Sequence, residues 1–143
     1  MTDTKIFFGL PSSNLGGFNA RSKRMINHFG NSYLPDIVYF GSYWGRLDQR
    51  IPIQLKKYFN LKLVMNQNGI YYPGWFPGDW KKKNADLVYF NSAADEVVYQ
   101  SNFCKSSLSF LTQSDLAPGI IIQNTAPKLI DDNFSFKTNL KRY

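Results

Sequence analysis

The sequence predicts an α/β protein, a Rossmann-like three-layer sandwich in which helices cover both faces of a mostly parallel sheet. Short runs of β-branched and aromatic residues alternate about five times with longer segments whose apolar residues recur at helical spacing. The strand runs are almost entirely apolar, which is typical of parallel strands buried on both faces. With 143 residues and 43% hydrophobic side chains, the chain has enough apolar material for one domain with a core rather than two domains.

The N-terminal half predicts two strands, each followed by a helix. Residues 5–9 form a short apolar run, and residues 18–29 carry apolar side chains at near-helical spacing up to a stop at Gly30. Residues 37–40 are β-branched and aromatic throughout, which predicts a second buried strand. Residues 46–59 follow as a helix with one apolar stripe, formed by Leu47, Ile51, Leu55, Tyr58 and Phe59.

The C-terminal half predicts three further strands. The first spans 61–65 and ends in the polar residues 66–69, and an aromatic loop with two prolines and two glycines covers 70–78. Asp79 is placed to cap a helix that runs to about residue 93, although 87–90 taken alone also fits a strand. Strand 95–100, a helix at 103–111 capped by Ser101 and Asn102, and strand 120–122 complete the domain. The domain therefore spans 1–124, and 125–143 is predicted to be a linker or tail.

The scarcity of cysteine, histidine and glutamate excludes several kinds of chemistry. Cys104 is the only cysteine and His28 the only histidine, so an intrachain disulfide and the usual Cys/His zinc clusters are excluded. Glu96 is the only glutamate, so a site that needs two glutamates cannot be completed by this chain. We expect no bound metal and no resident cofactor, and we assign no catalytic residue. The apolar stretch at the N-terminus is too short for a signal peptide, which predicts a cytoplasmic protein.

Basic residues outnumber acidic ones by 17 to 10, and the excess is uneven. The positive field should be strongest around Arg21, Lys23 and Arg24, so the first helix is a candidate for peripheral contact with an anionic membrane. The run Lys81-Lys82-Lys83 is most simply a solvated helix face.

Amides, hydroxyls and glycines follow nearly every predicted strand. Because the carboxyl ends of parallel strands meet at one edge, where ligands bind in open α/β sheets, that edge should present many neutral donors and acceptors, which suits polyols. Glycines at 16 and 17 precede a helix and would allow close backbone approach, but neither a dinucleotide nor a Walker pattern is completed. The amides at 66–68 precede flat aromatic rings, although residues 68 and 69 also fit the corner of a surface turn. The candidate ligand-binding residues are Gly16, Gly17, Asn66, Gln67, Asn68, Tyr72, Trp75 and Ser101.

Four segments together resemble the N-terminal half of a GT-B glycosyltransferase of the group-one, family-four kind. They are the first strand leading to Gly16-Gly17, the run 64–75, the block 94–105 and the segment 120–124. The block 94–105 is the most specific, because an alanine-aspartate, a strand, a serine and a phenylalanine-x-lysine helix start are how these enzymes approach their interdomain linker.

The resemblance implies transfer of a sugar from a nucleotide-sugar co-substrate to a sugar or lipid-linked acceptor, without a metal. The N-terminal half would hold the acceptor, with Gly16-Gly17 facing the cleft, and the other half would hold the donor with a pair of glutamates. Many members have a histidine where this chain has Asn66-Gln67-Asn68, so we expect amide contacts there and no general base. We expect an acceptor-binding half, inactive alone, whose donor site lies in a C-terminal domain or a separate chain.

Two other functions are compatible with the sequence. One is sequence-tolerant binding of single-stranded nucleic acid by residues 81–83 with Tyr71, Tyr72, Trp75 and Trp80, although a nucleic-acid partner ranks behind a sugar. The other is a docking domain whose apolar edge, including Trp75, Phe76 and Ile122, packs on another chain.

Overall fold

The described part of the chain alternates strand and helix, as predicted. The computed structural model describes residues 4–11, 17–41, 48 and 50–123, with side chains in the first helix from residue 19 onward. The strands are β1 (Ile6–Phe7), β2 (Ile37–Gly41), β3 (Lys62–Gln67), β4 (Glu96–Tyr99) and β5 (Gly119–Ile121). The helices are α1 (Gly17–Phe29), α2 (Arg50–Lys56), α3 (Trp80–Ala93) and α4 (Asn102–Thr112).

The strands form a single sheet in the order β1-β2-β3-β4-β5, and every neighbouring pair is parallel. Each pair is joined by a helix, as parallel neighbours require. The α/β fold class with a Rossmann-like parallel sheet is therefore confirmed. In open parallel sheets the ligand-binding cleft forms where strand order reverses. Strand order does not reverse among the described strands, so the topology alone does not mark the position of a cleft.

One face of the sheet carries the hydrophobic core. Register places Phe40, Met65 and Val97 in one row of this face, with Gly119 at its end. These three side chains are buried and cluster with apolar residues of the last three helices, namely Ile53 of α2, Leu87 and Phe90 of α3, and Leu108 of α4. Since unbroken burial of this face removes most of the apolar strand surface from water, α2, α3 and α4 supply the main hydrophobic stabilisation.

The first helix packs against the other face. Phe8 and Tyr39 belong to that face, with ring centroids 5.8 Å apart, and Phe29 of α1 lies 6.3 Å from Phe8. The inward side of α1 is polar, since Asn19 and Ser22 are both buried. The first helix and the last three helices therefore pack on opposite faces of the sheet.

Helix ends follow the predicted capping. The Asp79 side chain accepts a hydrogen bond from Lys82 N at 2.9 Å, and the Ser101 hydroxyl accepts one from Cys104 N at 3.0 Å. Gly30 ends α1 in the left-handed region, with φ of 79°. Residues 87–90 are helical, because Asn84, Leu87, Phe90 and Asn91 recur at helical spacing on the buried side of α3.

Two predictions about the second and third βα units are wrong in detail. The stripe predicted on α2 is largely exposed at Ile51, Leu55, Tyr58 and Phe59, while Pro52 and Ile53 make the buried contact. Strand β3 extends two residues past the apolar run, because Asn66 and Gln67 pair with Val98 and Tyr99 of β4. The predicted helix start at 46, Leu47 and the predicted tail at 125–143 lie outside the described residues.

An ion pair joins α2 to the start of β4. Lys56 Nζ lies 2.7 Å from an oxygen of Asp95, and the other oxygen accepts from Leu63 N at 2.8 Å. Desolvation alone would raise the pKa of Asp95, but the hydrogen bonds from Lys56 and Leu63 N, with the charges of Lys56 and Lys62, hold that pKa below its usual value.

Candidate functional site

A group of neutral polar side chains meets at the carboxyl ends of three neighbouring strands. Asn66 Nδ2 donates to the Tyr39 hydroxyl, and Asn66 Oδ1 accepts from Gln100 Nε2 at 3.0 Å. Gln100 Nε2 also donates to Asn68 Oδ1. We call these four residues, Tyr39, Asn66, Asn68 and Gln100, the amide cluster.

Strand geometry explains why these side chains meet. Register aligns Asn66 with Gly41 of β2 and Val98 of β4, so Asn66 points to the face that carries Tyr39. Gly41 has no side chain to stand beside Asn66, which lets the Tyr39 ring reach it from the neighbouring strand. Gln100 follows the last residue of β4 and extends back over the end of β3. Asn66 is fully buried, whereas the other three residues are half-buried and lie nearer to solvent.

Gln67 points to the opposite face from Asn66, because successive strand residues alternate. It shares a row with Tyr99 and is fully buried. Its Nε2 donates to Gly69 O, and its Oε1 has no hydrogen-bond partner among the described residues. A buried acceptor without a partner costs about 1–3 kcal/mol, so this atom is a place where an added donor would be stabilising.

Ser101 and Cys104 tie the start of α4 to the amide cluster. Ser101 serves as the helix cap, and the Cys104 thiol lies 3.3 Å from Asn68 O and 3.2 Å from the Ser101 hydroxyl. Cys104 is buried. These contacts hold Asn68 in place, and they give Ser101 a structural role in addition to its predicted role in ligand binding.

An aromatic loop, residues 70–78, follows directly from the amide cluster. Asn84 of α3 anchors it, accepting from Tyr71 N at 2.9 Å and donating to Tyr71 O at 2.8 Å. Trp75 stacks on Tyr71 with ring centroids 5.2 Å apart and an interplanar angle of 19°, and its Nε1 donates to Ile70 O. Phe76 packs against both rings, at 5.0 Å from Tyr71 and 6.0 Å from Trp75. Burial and the nearby charge of Asp86 raise the pKa of the Tyr71 hydroxyl.

The structure brings together some of the predicted ligand-binding residues and not others. Asn66 and Asn68 belong to the amide cluster, and Ser101 adjoins it through Cys104. Gln67 lies beneath it on the other face, and Tyr72 and Trp75 lie in the aromatic loop. Gly17 is the first residue of α1, while Gly16 lies outside the described residues.

Two members of the amide cluster, Tyr39 and Gln100, are absent from the predicted set. In the sequence, Tyr39 has the pattern of an apolar strand residue. It belongs to the site because its hydroxyl accepts a hydrogen bond from Asn66. Gln100 stands at a predicted strand end, and its position just after β4 was the available signal. Both contacts join residues at least 27 positions apart in the chain, which local sequence patterns do not reveal.

The amide cluster consists of three amides and one phenol, and it contains neither a carboxylate nor an imidazole. No group of His, Cys, Asp and Glu side chains that could hold a metal ion occurs in the part of the chain that the structure describes. His28 sits in the last turn of α1 against Phe29, with ring centroids 4.5 Å apart. Amide nitrogens donate, and amide and hydroxyl oxygens accept, so the cluster matches hydroxyl-rich neutral ligands better than phosphates.

The two groups of basic residues that the sequence singled out lie on different helices, α1 and α3. Arg24 is exposed and Arg21 half-buried on α1, while Lys81, Lys82 and Lys83 are exposed in the first turn of α3, as predicted for a solvated helix face. Across the described ranges of the chain, no helix has both the length and the apolar character needed to cross a bilayer.

Comparison with protein-family models, with curated proteins and with solved structures found no match for this chain. The amide cluster and the sheet topology are therefore the observations from which a function has to be argued.

Proposed function

We propose that this chain is the acceptor-binding half of a glycosyltransferase and that the amide cluster binds hydroxyl groups of the acceptor sugar. The observation that carries the proposal is the cluster itself, four neutral polar side chains on three parallel strands at the edge where such sheets bind ligands. Its position also agrees with the resemblance to the N-terminal half of GT-B enzymes.

The chemistry of the cluster favours binding over catalysis. Gln100 shares one donor nitrogen between two acceptors, so Asn66 and Asn68 are held in fixed orientations before a ligand arrives. Asn68 Nδ2 has no hydrogen-bond partner among the described residues, so it is a donor that a sugar oxygen could use. Pre-organised amides of this kind give directional selectivity at a low entropic cost.

Transfer itself would require groups from outside these 143 residues. The chain contains one glutamate, and Glu96 is exposed at the start of β4, away from the carboxyl edge. We propose that a nucleotide sugar, used without a metal, binds a C-terminal domain or a separate chain that completes the site.

Exposed apolar side chains support a second role for the chain as a docking module. Phe103 and Phe110 lie seven residues apart on α4 and are 70% and 82% exposed. Residues 120–122 add exposed isoleucines at the sheet edge. Exposed apolar side chains of this size are typical of a protein interface, and the donor-bearing partner is the occupant that the proposal requires.

Sugar titration tests the acceptor role. We expect mono- and oligosaccharides to shift amide resonances of residues 66–69 and 100–101 in a heteronuclear NMR spectrum. Asn68→Ala should weaken binding about three- to tenfold, the equivalent of one neutral hydrogen bond. Asn60→Ala, at an exposed amide in the turn before β3, is the matched control. Shifts elsewhere, or equal affinity of both variants, would place the site outside the amide cluster.

A further inference from the structure

The aromatic loop and the lysines that follow it are adjacent in the chain and largely exposed. Tyr72 is 47% and Trp75 53% exposed, and Pro73, Pro77 and residues 81–83 are exposed as well. Residues 71–83 contain three lysines and a single acidic residue, Asp79. The carboxylate of Asp79 accepts from Lys82 N as the cap of α3, so part of its charge is engaged with the helix terminus. The charge of Asp86, one turn further along α3, also acts on Tyr71, but Asp86 pairs with Arg50 at 3.2 Å. Large exposed rings beside a net positive charge are unusual for a surface that meets only water.

The loop is folded back on itself rather than extended. A Cβ added at Gly74 would lie 3.0 Å from the Tyr72 ring, and one added at Gly78 would lie 2.8 Å from the Phe76 ring. Glycine at these two positions therefore lets each ring pack onto the backbone of the loop. Together with the Asn84 anchor, this packing holds the rings as a preformed projection that needs no ordering to make a contact.

The ring arrangement indicates which kind of partner fits. Trp75 stacks on Tyr71, and Tyr72 and Phe76 meet Trp75 edge-on, at 6.1 Å and 6.0 Å between centroids. Tyr71 thus covers one face of Trp75. Bases of single-stranded nucleic acid stack on ring faces, so this contact leaves less of Trp75 available to a base, whereas an apolar medium can accept any exposed part of a ring. Tryptophan and tyrosine favour the membrane interface, where an apolar body and a polar group can both be accommodated.

We propose that the aromatic loop and residues 81–83 form a docking surface for an anionic lipid bilayer. Tyr72 and Trp75 enter the interfacial region, and the three lysines contact acidic headgroups. The bilayer is chosen over a protein partner because of charge complementarity, since a net positive, aromatic projection matches the surface of a membrane that contains acidic lipids. This surface is separate from α1, for which the sequence analysis predicts peripheral membrane contact. The proposal does not depend on sugar binding.

Vesicle co-sedimentation of the full chain tests the proposal. We expect binding to vesicles of mixed phosphatidylcholine and phosphatidylserine, and much weaker binding to phosphatidylcholine alone. The triple variant K81Q/K82Q/K83Q should lower the partition coefficient at least about tenfold, since each lysine near an acidic surface contributes a severalfold gain. Because the three side chains are exposed, the variant should keep its fold, which circular dichroism checks.

A matched variant on the other basic segment separates the two surfaces. R21Q/R24Q removes two positive charges from α1 and should lower binding less than twofold. If R21Q/R24Q abolishes binding while the lysine variant does not, the contact lies on α1 and the proposal is wrong. Absence of any binding to acidic vesicles would overturn it equally.

Insertion of the rings is tested separately from attraction by charge. Brominated acyl chains should quench tryptophan fluorescence of the bound protein, and Trp75→Phe should keep vesicle binding while losing most of that quenching. Unchanged quenching would show that Trp75 stays outside the bilayer.

A nucleic-acid partner is tested with a single-stranded oligonucleotide. If the oligonucleotide binds more tightly than the vesicles, and the triple lysine variant abolishes that binding, the surface binds nucleic acid and the bilayer proposal is wrong. All of these measurements are made without sugar, so their failure leaves the acceptor proposal untouched.

Discussion

Replacing Asn84 by alanine should destabilise the protein by about 2–3 kcal/mol and release the aromatic loop. Asn84 is buried in α3, and its amide pairs with both backbone groups of Tyr71, at 2.9 Å and 2.8 Å. Each hydrogen bond contributes about 1 kcal/mol net, and loss of the amide also leaves the N–H and C=O of Tyr71 without their partners. Tyr71 is only half-buried, so water can reach part of its backbone, which keeps the estimate below the cost for a fully buried pair.

Denaturant unfolding followed by far-UV circular dichroism measures this loss. Alanine is a better helix former than asparagine by about 0.5 kcal/mol, so the intrinsic helix term opposes the effect. Asn27→Ala is the matched control, because Asn27 is exposed on α1 and receives the same propensity gain without losing an anchor. Hydrogen exchange should quicken in residues 70–78 of Asn84→Ala alone. If the two variants unfold within 0.5 kcal/mol of each other, the anchoring role assigned to Asn84 is wrong.

Three further predictions concern pH, packing and activity. Because the folded pKa of Asp95 is depressed, its contribution to stability is present above its unfolded pKa of about 3.9 and is lost as the pH falls through the folded value. Asp95→Asn should therefore unfold more easily than the parent at neutral pH, and a pH series of melting curves should show the difference vanish in acid. Gly119→Ala should cost at least about 2 kcal/mol in urea titration, because its Cβ would lie 2.1 Å from Val97 O, whereas Gly69→Ala meets nothing within 4 Å and should be nearly neutral. In a radiolabelled transfer assay with common nucleotide sugars, the chain alone should show no turnover, and robust turnover would contradict the acceptor-half proposal.

Local patterns predicted the alternation of elements well because the chain marks most boundaries itself. Asp79 and Ser101 cap helices with their side chains, and Gly30 takes a positive φ that suits glycine. The helical spacing of Leu87 and Phe90 outweighs the strand-like composition of the segment that contains them. Each of these signals acts within a few residues, so the sequence alone is sufficient to read it.

The wrong predictions concern features that depend on contacts with residues distant in the sequence. The apolar run before Asn66 predicted a strand end there, but pairing with β4 carries β3 through Gln67. That extension settles which face each amide occupies, because neighbouring strand residues point in opposite directions. Likewise, the stripe on α2 has the right spacing for burial, yet the sheet contacts Pro52 and Ile53 instead. The position of a helix relative to its sheet is set by packing, which the spacing of one segment does not encode.

The two proposed surfaces share one edge of the molecule, and this has a consequence for the kind of acceptor. Asn68 belongs to the amide cluster, and the aromatic loop begins two residues later, at Ile70. If the loop lies in the interface of a bilayer, the cluster faces a thin aqueous layer above the headgroups. A sugar attached to a lipid is concentrated in that layer, and confinement of both partners raises their effective concentration without any new contact. A modest neutral site of four side chains would then be sufficient for a lipid-linked acceptor, whereas a free sugar in solution would require a tighter one. If both proposals hold, an uncharged site to which the membrane brings its ligand does not need a high intrinsic affinity.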